Sequence, residues 1–222
     1  MAYRQYRTNF PSVENPLSDS SKWLNGGTTG LDWTDCRTTV GKVFGTQPGN
    51  SGGIYDDSVA ALQNLTWGND QAAEGTVYVT VAPVPNAECE ILLRVNFSAH
   101  TYTGYEFNSS CANGITYMTI VRINGPFASF DNLAQRLDIE VADGDVMGFT
   151  AIGSAFTAYK NSAVVLTATD TTFSHGAPGL GFFLKNQTGN NANYGFTKYA
   201  ANDAGILPSL LVQSGPTPGR SS

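Results

Sequence analysis

Asp138 and Glu140 are separated by one residue, and on a strand the side chains at i and i+2 leave the same face, so two carboxyl groups would stand side by side. A pair held at roughly 5–5.5 Å can serve as nucleophile and acid/base in retaining glycoside hydrolysis. Ala142 fills the next position on that face and Asp143 belongs to an Asp-Gly-Asp turn, so no third carboxyl joins them. A solvent-facing strand edge accounts for the pair better, and no catalytic residue is assigned. His100 and His175 stand apart from cysteine and carboxylate partners at ligand spacing, which suits surface hydrogen bonding rather than metal binding. Asp56-Asp57 could join other loop oxygens around Ca2+, a hard cation that needs several oxygen ligands from converging loops; the full ligand shell is not readable, and no other cofactor is implied.

Aromatic residues give the strongest binding hint. Trp23, Trp33, Tyr55, Trp67, Tyr102 and Tyr105 lie in or beside expected loops and strand ends, and all but Trp23, together with Asp56, are the candidate binding residues. Sugars stack their C–H faces on such rings while their hydroxyls take hydrogen bonds from Asn, Asp and Arg. The competing account is that these rings fill the core or a subunit contact, as Trp and Tyr are usually largely buried. Gly49-Asn50-Ser51-Gly52-Gly53 resembles the nucleophile loop of trypsin-like serine proteases, but both histidines follow Ser51, so a loop is the better reading.

The elements that would carry these residues are strands. Runs such as Thr76–Ala82, Cys89–Phe97, Tyr102–Phe107, Ile115–Ile123, Arg136–Val141, Val146–Ile152, Ala155–Lys160, Ala163–Thr169, Gly179–Leu184 and Tyr194–Tyr199 are rich in β-branched and aromatic residues. Lys42–Gly45 adds a short one. Turn signals, among them Asn113-Gly114, Asn124-Gly125 and Asp143-Gly144-Asp145, recur every ~8–12 residues, as in a sandwich. The expected fold is all-β, a two-sheet antiparallel jelly-roll sandwich. Residues 1–25 read as an N-terminal arm and first strand, 26–207 as the sandwich, and 208–222 as a Pro/Gly/Ser-rich tail.

Composition narrows the function. Of 222 residues, 41% are hydrophobic and only 14% charged, so the core is large and the surface must be covered mainly by uncharged polar residues. Twelve basic against eighteen acidic side chains, with no Lys/Arg cluster, exclude nucleic acid as a partner. No apolar run of about 18 residues is present to enter a membrane, and no secretion signal follows Met1. Cys36, Cys89 and Cys111 are too few and too widely spaced for a disulfide framework or a zinc site, and read as buried thiols with at most one bridge.

The order of features from Leu137 onward is more specific. Leu137-Asp-Ile-Glu-Val-Ala-Asp-Gly-Asp145, Gly148-Phe-Thr-Ala-Ile-Gly153, Ala158-Tyr-Lys-Asn-Ser162 and Ser174-His-Gly-Ala-Pro-Gly-Leu-Gly-Phe182 follow one another. This run resembles the C-terminal half of concanavalin A-like lectin/glucanase domains of the laminin G-like jelly-roll kind, found in many bacterial and viral surface proteins. Asn15-Pro-Leu-Ser-Asp with Trp23, and Trp67-Gly-Asn-Asp-Gln71, look like the family's early loop and strand. The resemblance implies a fold more than an activity. Family glucanases carry Glu-x-Asp-x-Glu or Glu-x-Asp-x-x-Glu on one strand, a pattern from which Asp138-Ile139-Glu140 departs, while some family members bind Ca2+ through loop oxygens.

Three functions fit. One is a non-catalytic, lectin-like module that recognises a glycan or a protein. Another is a structural accessory of a larger assembly, such as a phage capsid decoration or tail protein, in contact with other subunits or with its own copies. The third is a polysaccharide hydrolase or lyase. The expected location is extracellular or on a virion surface. An open, aromatic-lined sheet face bearing paired carboxylates would favour the enzyme, and a covered one would favour assembly.

Overall fold

Alternation along the strands sets the architecture. On β7 (Ala87–Ser98), Cys89, Ile91 and Leu93 point into a shared interior, so Glu88, Glu90 and Leu92 face the other way. The computed structural model describes residues 3–49, 57–80, 87–111, 115–185 and 191–211. Among these, one antiparallel sheet runs β13 (Ala163–Thr169), β12 (Ala155–Lys160), β11 (Val146–Ile152), β6 (Gln71–Val79), β15 (Tyr194–Asn202), β4 (Lys42–Gly45) and β3 (Cys36–Thr39), with β1 (Gln5–Thr8) also paired to β15. The second runs β10 (Phe130–Arg136), β9 (Met118–Gly125), β8 (Thr101–Ser110), β7, β14 (Ala177–Leu184), β5 (Asp57–Ala61) and β2 (Leu24–Asn25). A single helical turn, α1 (Gly26–Thr29), follows β2. The fold is the expected all-β, two-sheet antiparallel jelly-roll sandwich.

The interior between the sheets is aromatic. Tyr105 stacks on Phe156 with ring centroids 4.0 Å apart, and Phe149 stands 6.0 Å from both Phe156 and Phe107. All four are fully buried. Interdigitated rings of this kind couple the two layers, since each buries most of its surface against the opposite sheet. Gln47 supplies a polar tie within the layer: its Nε2 donates to Phe182 O and to Tyr194 Oη, each at 2.9 Å, and its Oε1 accepts from Ser58 Oγ at 2.6 Å. Such a buried amide is tolerable only when its hydrogen-bonding groups are met in this way.

Hairpin strands match expectation closely. β11, β12 and β13 occupy the expected ranges, and Gly144 adopts φ +83° in the turn before β11, where a Cβ would be strained. Arg136–Val141 is corrected: the strand is β10, ending at Arg136, and residues 137–145 are irregular. These residues carry the chain from the seven-stranded sheet to the eight-stranded one. Among the described residues no neighbouring strand pairs with them over that stretch, although Val141 reaches the core and donates to Ser110 O. β9 likewise starts at Met118 rather than Ile115. Asn113-Gly114, Asn50 to Gly53, Pro83, Pro85, Asn86 and residues 212–222 lie outside the described residues. Within residues 1–25, β1 and β2 pair into the two sheets. At the other end, Arg7 Nη2 donates to Pro208 O, and Ser209 N and Oγ donate to the Glu74 carboxylate.

Candidate functional site

The outward face of the seven-stranded sheet is divided. At one end it is apolar and covered. Leu31 and Trp33 pack on Leu92, Val95, Phe97 and Tyr102, with Phe127 folding over from the β9–β10 loop. Trp33 stands edge-on to Tyr102 at 5.4 Å and to Phe127 at 5.1 Å. At the other end lies a groove of about 190 Å3, floored by Glu88, Glu106, Asn108, Asp57 and Thr119 and walled by Trp33, Phe127, Phe130, Asn132, Gln135 and Tyr117. That volume is below the roughly 300–1,000 Å3 of drug-sized sites, so it suits one ring or a terminal group.

Register explains why the acidic residues meet. Glu90 on β7 lies opposite Asn108 on β8 and opposite Gly181 on β14; Leu92 lies opposite Glu106, and Phe183 pairs with both Glu88 and Asp57. One carboxylate oxygen from each of Glu88, Glu90 and Glu106 falls within 4.8 Å of the others. Gly181 makes this possible, because a Cβ there would lie 2.0 Å from Glu90 Oε2. Asn108 Nδ2 donates to Glu106 Oε1 at 2.7 Å, and the Tyr117 hydroxyl donates to Glu88 Oε1.

Electrostatics follow from crowding acids in a dry place. Burial pushes Glu88 up to about 7, an effect the Tyr117 hydrogen bond only partly offsets. Glu106 is pushed up to about 8 by burial and by the charge of Glu88, against the Asn108 hydrogen bond. Glu90, only 1% exposed, is raised too, by burial and by the charges of Glu106 and Asp57. Glu90 Oε2, Asn108 Oδ1 and the Tyr102 hydroxyl are buried without a hydrogen-bond partner among the described residues.

The residues singled out in the sequence are dispersed. Trp33 reaches the groove wall but is 7% exposed, one edge of an apolar cluster. Tyr102 is fully buried beneath it and offers no face for stacking. Tyr105 points the opposite way, into the core between the sheets, where its hydroxyl donates to Asp170 Oδ1 at 2.6 Å. Its odd position on β8 puts it on the inner face, as Tyr102 and Glu106 are on the outer. Trp67 is half-buried at the sandwich edge, its indole N–H donating to Leu62 O and its ring 6.0 Å below the Arg4 guanidinium. Tyr55 and Asp56 lie outside the described residues, whereas Asp57 lines the groove.

The Asp138–Glu140 pair does not form a dyad. Asp138 is exposed and held in a two-pronged ion pair by Arg136 at 2.6 and 3.0 Å, in a segment that is not a strand. His100 Nδ1 contacts Asp32 at the surface, and Cys36, Cys89 and Cys111 are buried and free. Of the groove's acids the sequence pointed to Asp57 and not to the glutamates. The signal was there: Glu88-Cys89-Glu90 is the i, i+2 pattern argued for Asp138, set at the head of an apolar strand that was expected to begin only at Cys89.

The fold is that of a two-sheet antiparallel β-sandwich with a groove on one outer face. No family model matches the sequence, and no curated protein matches it. Solved structures with the same fold include the carbohydrate-binding module CBM66 from Bacillus subtilis, at 16% identity and TM-score 0.55, covering 84% of this chain and 95% of that one. The exoplasmic/lumenal domain of VIP36, in a Ca2+/Man3GlcNAc-bound form, aligns at 10% identity and TM-score 0.57, over 92% of each chain. The CBM2 module of the evolved Dit of Lactobacillus casei BL23 phage J-1 aligns at 10% identity and TM-score 0.56, over 93% of this chain and 99% of that module. At such identities the likeness is one of fold. No helix among the described residues is long and apolar enough to cross a membrane.

Proposed function

We propose that the chain is a non-catalytic, concanavalin A-like recognition module that binds a glycan end group in the groove on its seven-stranded sheet. The observation that carries the reading is the groove's composition. Trp33, Phe127 and Phe130 give apolar edges for a sugar's C–H face, and Asn132, Gln135, Thr119 and Asn108 give hydrogen-bonding groups for hydroxyls. Phe130, Asn132 and Gln135 are on the exposed edge strand β10, where a ligand can reach them. The names of the structural neighbours, carbohydrate-binding modules and a glycan-bound lumenal domain, support the same class of ligand. The location that fits is extracellular.

The test is a glycan array followed by calorimetry on the full chain and on Phe130→Ala and Asn132→Ala. Binding by the parent that falls at least about tenfold in both variants is expected, in line with loss of a stacking and a polar contact. No binding to any glycan would remove the reading. Incubation with mixed polysaccharides should release no reducing sugar; release that Glu106→Gln abolishes would establish the hydrolase instead. A second reading, an accessory of a larger assembly such as a phage particle, draws on the likeness to a phage module. It requires self-association or capture by virion subunits, measurable by light scattering.

A further inference from the structure

Three glutamates on one sheet face, within hydrogen-bonding range of no lysine or arginine, need an explanation. The ion pairs among the described residues leave Glu88, Glu90 and Glu106 without a cationic partner. Buried charges are ordinarily paired or coordinate a metal. Here the two neutral donors, Tyr117 to Glu88 and Asn108 to Glu106, each occupy one oxygen, and one oxygen from each of the three carboxylates lies within 4.8 Å of the others. Two further oxygens point to a missing partner. Glu90 is 1% exposed and its Oε2 has no hydrogen bond; Asn108 is 9% exposed and its Oδ1 has none either, although it is not an acid and its amide nitrogen is satisfied. Asn108 faces Glu90 directly across the β7–β8 ladder, so its side chain leaves the same sheet face as the acids. A buried amide oxygen left unbonded beside three carboxylates has a lone pair to offer a cation.

We propose that Glu88, Glu90, Glu106 and Asn108 form a binding site for a hard divalent cation, Ca2+, on the floor of the groove. The donor set is entirely oxygen, with no imidazole or thiolate facing it, which disfavours Zn2+ and the later transition metals. Ca2+ accepts six to eight oxygens in loose geometry, including carboxylates in mono- or bidentate mode and amide carbonyls, so side chains on a sheet can ligate it without an octahedral cage; Mg2+ demands that cage. The site is distinct from the Asp56-Asp57 loop expected from the sequence, and it draws on no loop for its acids. Ca2+ would also place a coordinating centre at the base of the groove.

The site is tested on the intact chain after chelation, with no sugar present, so that its failure and the failure of glycan recognition are separable. Tb3+ is a luminescent stand-in for Ca2+, and Trp33 on the groove wall is placed to sensitise it. Expected are Tb3+ luminescence on tryptophan excitation, its displacement by Ca2+ but not by equimolar Mg2+, and a Ca2+-dependent rise in melting temperature. Glu106→Gln and Asn108→Ala should each weaken Ca2+ binding roughly tenfold or more in calorimetry. Glu90→Gln should abolish it; because Glu90 is the most buried, the other two variants decide the matter if that protein fails to fold. Absence of Ca2+ heat and of sensitised luminescence in the parent, or unchanged affinity in folded Glu106→Gln and Asn108→Ala, would overturn the site.

Discussion

Asp170 follows β13 directly and ties the two sheets together. Its Oδ1 accepts from the Tyr105 hydroxyl at 2.6 Å and from Thr172 N at 2.7 Å, and its Oδ2 accepts from Arg122 Nη1 at 2.6 Å. Tyr105 and Arg122 come from β8 and β9, so one carboxylate on the eight-stranded sheet holds two strands of the other. Burial alone would raise its pKa, but the hydrogen bonds from Tyr105, Thr172 and Arg122 outweigh it and hold Asp170 at about 2, below the ordinary 3.8. At ~1.36 kcal/mol per unit, the difference corresponds to about 2 kcal/mol of folding stability. The side chain is only 10% exposed, so solvent screening takes little from that figure. Because the folded pKa is depressed, the contribution is present in full above pH 3.8 and is lost as pH falls through about 2. Asp170→Asn removes the charge and leaves one Asn nitrogen facing a donor. Near pH 7 the variant should unfold about 2 kcal/mol more easily, which for a chain of this size is a drop of roughly 4–8 °C in melting temperature. Urea unfolding repeated at pH 4 and near pH 2 should show the two proteins converging as the parent loses its own charge. A gap that stays constant from pH 7 to 2, or no gap at pH 7, would refute the reasoning.

Tyr105→Phe removes one of the same bonds and should cost about 1–1.5 kcal/mol in urea unfolding, with a nonadditive double mutant alongside Asp170→Asn. Phe156→Ala opens a cavity between the sheets beside Tyr105 and Phe149 and should cost about 3–5 kcal/mol by the same measurement. Gly181→Ala drives a methyl into the Glu90 carboxylate and should lower stability by roughly 1–3 kcal/mol while disturbing Ca2+ binding, an effect calorimetry would detect. Asp138→Asn, in an exposed ion pair, should leave the melting temperature and any glycan affinity unchanged.

The legible part of the fold was the part built from local signals. β11, β12 and β13 are successive hairpin strands, and their bounds could be read because turn residues such as Gly144 and Gly153 need positive φ and interrupt runs of β-formers. Arg136–Val141 misled for a nonlocal reason. Its alternation of Leu137, Ile139 and Val141 is genuine, and Ile139 and Val141 do face the core, yet an extended segment becomes a strand only when a neighbour supplies its ladder partners. Crossing between sheets gives the same apolar spacing with no such neighbour. For Trp33 and Tyr102 the sequence left open a binding face or a packed one, because the choice depends on a nonlocal cover: the segment after α1 and the β9–β10 loop bring Leu31, Trp33 and Phe127 down as a second, smaller apolar cluster on the outside of the sheet.

The acidic groove was illegible for the reason that makes it informative. Its parts come from β5, β7 and β8, and only long-range register places Glu90 against Asn108 and above Gly181. Local consistency should have put apolar residues at these positions, as it does on either side of Glu106, where its ladder partners Leu92 and Val121 meet the Trp33 cluster. Instead the same sheet face changes character along its length, and the change coincides with the point where covering loops give out and a groove begins. A sequence ordinarily avoids burying unpaired carboxyls, and places where it does not are where function competes with folding. Had Glu90 only solubilised an outer face, solvent would reach it. Its 1% exposure and unbonded Oε2, beside a groove lined by the part-exposed Glu88 and Glu106, argue instead that something other than water completes it.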